Sequence, residues 1–232
     1  MTTLVLVHGW AASSRIWQRQ RQHFGASLEL LTPDLPAWET GWLCDYLRPL
    51  PLDQTVLVGW SLGGMLAGEA LARIGSAPRH LVLVGVAASF CRRPDFTGGV
   101  APALVRARRR QLCSDPAQVV QEFAQLCLAP GEENFGQELL SLWPPPEVPE
   151  FLAAGLDYLL AQDLRPYLGR LTGNVTIVHG DADRVTPVAQ AYYLKEQMPG
   201  ARLEIFPDAG HLPFLTQAAK FNALMMELVD ES

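Results

Sequence analysis

No apolar stretch of the sequence reaches the 18 or so residues of a helical membrane span, so none is expected. The opening segment "MTTLVLVHGW" carries no basic residues ahead of its apolar run, and reads as a strand rather than a secretory leader. Cysteine is scarce. Cys44, Cys91, Cys113 and Cys127 have neither the density of a disulfide framework nor metal-ligand spacing, and are expected as reduced, mostly buried thiols. The expected compartment is therefore the cytoplasm. Lysine is scarcer still: Lys195 and Lys220 stand alone, and the other basic residues are arginines. The net charge of −6 argues against nucleic acid or an anionic membrane as the main partner. Neither an internal repeat nor a low-complexity tract is present. The chain is expected to act as a monomer, with no cofactor and no metal.

What the sequence has is apolar punctuation. At 232 residues and 49% hydrophobic content it can bury one large core. Short runs recur: "LVLVH" at 4–8, "LELLTPD" at 28–34, "TVLVGW" at 55–60, "HLVLVGV" at 80–86, "NVTIVHG" at 174–180 and "RLEIFPD" at 202–208. Most are continuous in Leu, Val and Ile rather than alternating, as strands buried on both faces should be. Helix-length segments such as 14–24, 62–74 and 187–198 lie between them. Strand and helix in alternation predict a mostly parallel sheet of about six strands flanked by helices.

One interval breaks the rhythm. The long segment between the fourth and fifth strands carries helical patterns and the cluster "WPPPEVP" at 143–149, too much for a simple crossover. It reads as an inserted helical cap over 87–170, with 1–86 and 171–232 forming the α/β core.

"GWSLGG" at 59–64 places Ser61 between glycines where the third strand should end and a helix begin. A tight strand-to-helix turn needs uncrowded neighbours, which Gly59, Gly63 and Gly64 supply, while Ala67 and Gly68 let the helix lie near the sheet. This is the pattern of a nucleophile elbow, with the hydroxyl at a helix N-terminus where exposed N–H groups favour negative charge.

Serine needs a base to take its proton. Of five histidines, His8 reads as a brace for the loop after the first strand, and His23, His80 and His179 as structural. His211 differs: "PDAGHLPF" puts it in a loop past the last strand, able to hang over the C-terminal edge of the sheet. The carboxylate that orients it should come from "HGDADRVTP", which offers Asp181 and Asp183; the reading favours Asp183 and leaves Asp181 as a turn residue.

Together "HGW", "GWSLGG", "HGDADRVTP" and "AGHLPF" resemble the α/β-hydrolase superfamily over essentially the whole chain. The resemblance implies the chain order Ser61, Asp183, His211, and its G-x-x-D-x-x-x-P pattern, met by Gly180, Asp183 and Pro187, also selects Asp183. It implies an oxyanion hole from the backbone N–H groups of Leu62, just after the nucleophile, and Trp10, in the loop after the first strand.

A closer likeness is to the BioH-type carboxylesterases, which hydrolyse the methyl ester of pimeloyl-acyl carrier protein in biotin synthesis. Both share tryptophans at the ends of the first and third strands. The cap also fits the spacing L-x-x-G-L-x-x-L-x-x-x-D-L-R-x-x-L, met by Leu152, Gly155, Leu156, Leu159, Asp163, Leu164, Arg165 and Leu168. Two departures from the family are read: the two antiparallel strands that usually open the fold are not expected in this sequence, and "DLPAWET" replaces a glycine-rich loop. The resemblance places a substrate-contacting segment at "FAQLC", that is Phe123, Ala124, Gln125, Leu126 and Cys127. A long apolar acyl chain would then lie among Trp10, Trp60, Ser61, Leu62 and His211, with Phe123, Leu126 and Phe135 closing over it.

Arg106, Arg109 and Arg110 stand at i, i+3 and i+4 if 100–112 is helical. A solvated helix face is one reading. A docking patch for a strongly acidic acyl carrier protein is the other, and the resemblance favours it. Three alternatives remain: a short-acyl esterase of broad specificity, a C–C bond lyase or hydrolase on the same triad, and a ligand-binding module with an idle triad.

Overall fold

The computed structural model of the chain describes residues 2–143 and 149–231, so most of the proline cluster at 143–149 lies outside the described residues. Six strands form one sheet: β1 Thr3–Val7, β2 Glu29–Leu31, β3 Thr55–Trp60, β4 His80–Val84, β5 Asn174–Gly180 and β6 Arg202–Phe206. Their order is β2-β1-β3-β4-β5-β6, and every neighbouring pair is parallel. Every residue of β1, β3 and β4 is buried, which accounts for their unbroken Val and Leu content. Helices cover both faces: α1 Gln18–Phe24, α2 Thr40–Leu47 and α3 Leu62–Ile74 come before β4. Between β4 and β5 lie α4 Pro102–Gln111, α5 Pro116–Cys127, α6 Gly136–Leu142, α7 Pro149–Ala161 and α8 Arg165–Leu168. After β5 come α9 Ala189–Gln197, α10 Pro213–Thr216 and α11 Ala218–Asp230. No helix among the described residues is long and apolar enough to cross a membrane.

Several strands end earlier than their apolar runs. The run at 28–34 yields only Glu29–Leu31, because Asp34 leaves the sheet to accept hydrogen bonds from Ser14 N (2.5 Å) and Ser14 Oγ (3.1 Å). The run at 80–86 stops at Val84, because Gly85 turns the chain at φ +59°. The segment 14–24 begins as a 3₁₀ turn, Ser14–Trp17, before α1.

The register sets the geometry of the C-terminal edge. Val7 pairs with Gly59, Trp60 with Val84, Val84 with Val178 and Gly180 with Phe206. The loops after β1, β3, β4, β5 and β6 therefore emerge side by side. The strand order reverses between β1 and β3, the position at which open α/β sheets bind ligands.

The long segment between β4 and β5 is fastened to this core by polar contacts as well as by packing. Glu69, buried in α3, accepts from Thr40 Oγ1 at 2.7 Å and from Tyr158 OH at 3.1 Å, and pairs with Arg73. One carboxylate thus ties α2, α3 and α7 together. Burial beside that carboxylate pushes the Tyr158 phenol well above its usual pKa.

Candidate active site

Ser61 joins β3 to α3 with φ 54° and ψ −122°, a conformation that costs a non-glycine residue about 1–3 kcal/mol. The surroundings hold it there. Its N–H donates to Val84 O at 2.8 Å, and its carbonyl accepts from Gly64 N at 3.0 Å and Met65 N at 3.1 Å. The turn closes only because Gly59 and Gly63 lack side chains: a Cβ on the first would overlap Gly64 Cα, and on the second the carbonyl oxygen of His8. Gly68 has a different role from the one expected, facing Leu164 and Leu171 rather than the sheet.

His211 and Asp183 meet from separate loops. His211 Nδ1 lies 2.6 Å from Asp183 Oδ2, with both side chains fully buried. Asp183 Oδ1 accepts from Val185 N at 2.8 Å and Thr186 N at 2.9 Å, so both carboxylate oxygens are engaged and its orientation is set. An ionised carboxylate only accepts, so the proton sits on His211 Nδ1 and the lone pair on Nε2. Nε2 has no hydrogen-bond partner among the described residues. The absence of a side chain at Gly85 leaves room for the pair, since a Cβ there would stand 3.0 Å from His211 Nδ1. Asp181 lies elsewhere: its Oδ1 accepts from Asp208 N at 2.8 Å, tying two exposed turns.

The other histidines are accounted for. His8 Nε2 accepts from Leu35 N at 3.1 Å, which leaves Nδ1 protonated and donating to Gly9 O at 3.0 Å. It braces the loop after β1, and burial pushes its pKa below the usual range. His80 pairs with Thr176 Oγ1 at 2.8 Å, and His23 packs edge-on against Phe24. His179 donates to Thr186 O at 2.7 Å, with Nε2 also 3.4 Å from Asp183 Oδ2; burial lowers its pKa too.

The loop after β1 runs against the elbow, where a Cβ on Gly9 would stand 3.1 Å from Ser61 Cβ. Neither the Trp10 nor the Leu62 N–H has a backbone acceptor among the described residues; Leu62 opens α3, where N–H groups lack intrahelical partners.

Ser61 lines a mainly apolar cavity of about 470 Å³. Trp10 and Phe123 meet edge to face in its wall, ring centroids 4.8 Å apart. Phe90, Val105, Val119, Leu156, Leu159 and Val185 add apolar surface, and Arg108, Gln111, Glu122 and Arg184 add the polar groups. Sequence reasoning missed most of these, because they come from two loops and three helices that only the fold brings together.

Of the segment "FAQLC", Phe123 and Leu126 line the cavity, whereas Ala124, Gln125 and Cys127 do not. Ala124 and Cys127 are buried away from it, and Gln125 is exposed. Trp60 is not a wall residue either: its indole is fully buried and donates to His211 O at 2.9 Å, supporting the histidine from beneath. The Leu62 and His211 side chains are likewise buried and absent from the cavity lining, contrary to the expectation that both contact substrate, and Phe135 stacks under Arg19. The three arginines also separate. Arg109 is held by Asp157 of α7 through two hydrogen bonds, while Arg106 and Arg110 are exposed with no acidic partner among the described residues. The α4 arginine that reaches the cavity is instead Arg108, paired with Glu122 and bonded to Gln111 Oε1 at 3.1 Å. No cluster of three or more His, Cys, Asp or Glu that could hold a metal occurs among the described residues.

A parallel sheet with a strained serine between β3 and α3, a cavity beside that serine and a carboxylate-bound histidine in the loop after β6 defines a hydrolase of the α/β type. Residues 4–224 match the Alpha/beta hydrolase family, and the chain belongs to it. It is 31% identical to the pimeloyl-[acyl-carrier protein] methyl ester esterase of Aromatoleum aromaticum, covering 97% of each chain. It is 30% identical to the esterase of the same name from Nitrosomonas europaea, covering 94% of this chain and 92% of that one. Among solved structures, an esterase from Exiguobacterium antarcticum superposes with a TM-score of 0.89 at 23% identity, over 100% of this chain and 92% of that one. A bromoperoxidase from Bacillus anthracis superposes at 0.83 with 20% identity, over 99% and 92% respectively. These two likenesses show the fold.

Proposed function

We propose that this carboxylic ester hydrolase cleaves the methyl ester of a pimeloyl chain carried on an acyl carrier protein, as in biotin synthesis. The observation that carries the reading is Ser61 set in the wall of a mainly apolar cavity that α4, α5 and α7 also line. Such a cavity suits a methylene chain rather than a polar leaving group. The near-full-length likeness to the two esterases named above supplies the ester.

The His211–Asp183 pair and the strained Ser61 support a triad mechanism. Ser61 Oγ attacks the ester carbonyl as His211 Nε2 takes its proton, and Asp183 stabilises the imidazolium through Nδ1–H. The carbonyl oxygen becomes an oxyanion facing the Trp10 and Leu62 N–H groups. Collapse expels methoxide, which leaves as methanol with the proton from Nε2, and Ser61 holds the acyl group as an ester. Water, deprotonated by Nε2, attacks in turn and releases the free carboxylate with Ser61 restored. Asp183 fixes the His211 tautomer that this cycle needs at both steps.

The carrier protein would dock on α4, with the helices between β4 and β5 acting as the cap. Arg106 and Arg110 are free to meet acidic side chains, and Arg109 can reach them only by sharing its guanidinium with Asp157. A local basic face offsets the repulsion between an acidic enzyme and an acidic carrier. The test is a mass-spectrometric comparison of methyl pimeloyl-carrier protein with free methyl pimelate and a short free ester. Preference for the carrier-linked ester is expected; faster turnover of the short free ester would make the protein a general short-acyl esterase.

A further inference from the structure

The end of α5 and the turn after it do more than wall the cavity. They are bolted to both loops that carry His211 and Asp183. His211 N donates to Cys127 O at 2.8 Å. Arg184, next to Asp183 in the chain, donates through Nη2 to Gln125 O at 2.7 Å and Leu128 O at 2.6 Å. Both sets of bonds end on main-chain carbonyls, so they depend on where this stretch of backbone sits.

Glu132 bonds both this stretch and the histidine loop. Its side chain is buried, at 6% exposure, and a single oxygen makes both of its bonds. Oε2 accepts from Ala129 N at 2.8 Å within its own turn, and from Gly210 N at 3.0 Å on the histidine loop. Gly210 presses so closely on this stretch that a Cβ would overlap Cys127 O and stand 2.7 Å from Ala129 N and 2.9 Å from Glu132 Oε2. A carboxylate so desolvated is costly unless its hydrogen bonds are strong, and a charged acceptor makes bonds about twice as strong as a neutral one. A turn that needed only to cap Ala129 could do so in solvent. The second bond, across 78 residues to the residue preceding His211, is the one that accounts for burying the charge here.

We propose that Glu132 is a positioning residue for the ester hydrolysis, holding Gly210 and through it the His211 imidazole in line with Ser61. The proposal rests on the triad reading given above. It makes the helical segment between β4 and β5 part of the base's support and not solely a cover for substrate. Phe123 and Leu126, which line the cavity, lie on the same helix whose end carries the anchors, so substrate wall and base are held by one element.

The test is steady-state hydrolysis of p-nitrophenyl butyrate by the full chain and its variants, with thermal melts to establish folding. Glu132→Ala loses both bonds, and kcat should fall on the order of 10–100-fold, the cost of a misplaced catalytic group, while KM changes little. Glu132→Gln presents one amide oxygen where Oε2 stands and should recover most of kcat. Wild-type kcat in folded Glu132→Ala overturns the proposal, as does a Gln variant no better than the Ala one. Should Glu132→Ala fail to fold, Glu132→Asp decides. Its carboxylate, one methylene shorter, cannot span both N–H groups: a lowered kcat at unchanged KM supports the proposal, and wild-type kcat overturns it. Ser61→Ala separates this from the reading beneath it, because an active Ser61→Ala removes the triad itself. An inactive Ser61→Ala beside a fully active Glu132→Ala removes only the role of Glu132.

Discussion

The indole N–H of Trp10 donates to the carbonyl of Leu152 at 2.8 Å, joining the loop after β1 to α7 across 142 residues. Trp38 does the same to Phe151 O at 2.8 Å. Both rings fit because residue 155 is glycine: a Cβ there would overlap Trp10 Cδ1 and stand 2.9 Å from Trp38 Nε1. Gly155→Ala should therefore push Trp10 aside, and with it the proposed oxyanion donor on the same residue. The expected result is a fall in kcat of about 10–100-fold on a small ester, with the fold retained. Unchanged kcat in a folded Gly155→Ala protein would detach Trp10 from the oxyanion role.

The proposed triad should behave as a unit. Ser61→Ala and His211→Ala should each lower kcat on the order of 10⁴-fold or more, with the double variant little worse than either. Asp183→Asn should cost on the order of 10⁴-fold by favouring the wrong histidine tautomer, whereas Asp181→Asn, which loosens an exposed turn, should cost little. Kinetics on one ester with all five proteins settles the assignment, and the reverse order for the two aspartates would reassign the acid.

Stability should rise with pH through the histidine range. His8 and His179 are buried neutral, with folded pKa values depressed below the unfolded value near 6.5. Below that value the unfolded chain binds protons that the folded one excludes, so these groups cost stability as pH falls. Above it the cost is absent. Urea midpoints should be flat from about pH 7 to 8 and decline from about pH 6.5 to 5. For His8 the reason is concrete, since protonating Nε2 removes the acceptor for Leu35 N–H. His8→Gln should lower stability overall and flatten the decline; an unchanged slope would put its origin elsewhere.

Reversal of the two unpaired arginines tests the docking face. Arg106→Glu/Arg110→Glu should raise KM for the carrier-linked ester far more than for a small free ester. Exposed charges are screened beyond about 8 Å at physiological salt, so wild-type kcat/KM for the carrier substrate should fall as salt rises, and the variant should lose that dependence. Arg109 is left in place because reversing it would set two carboxylate groups against each other at Asp157. An identical salt response in both proteins would return α4 to the role of a solvated face.

The parts legible in the sequence are those fixed by short-range rules. Strands buried on both faces announce themselves as Leu and Val runs, and the elbow as glycines around Ser61, because a backbone overlap leaves no other residue possible there. What stayed hidden is set by partners distant in the chain. The helical spacing of Arg106, Arg109 and Arg110 is real, yet Asp157 on another helix engages one of the three. Trp60 ends its strand beside the serine, but nothing local says that its ring goes under His211 rather than into the cavity. Glu132 sits in an acidic, surface-like stretch, "GEEN", and only the return of Gly210 against it makes it a buried group.

The order of these pieces along the chain has a consequence for synthesis. Ser61 is made first, the helices that support the base come next, and Asp183 and His211 follow. Trp60 and His211, bonded in the finished protein, are 151 residues apart. At about 5–20 residues per second, a ribosome takes roughly 8–30 s to travel that distance. Throughout that interval the nascent chain carries its proposed nucleophile without its base. On the proposed triad, hydrolytic competence would wait for the loop holding Gly210 and His211, the last of its parts to be made.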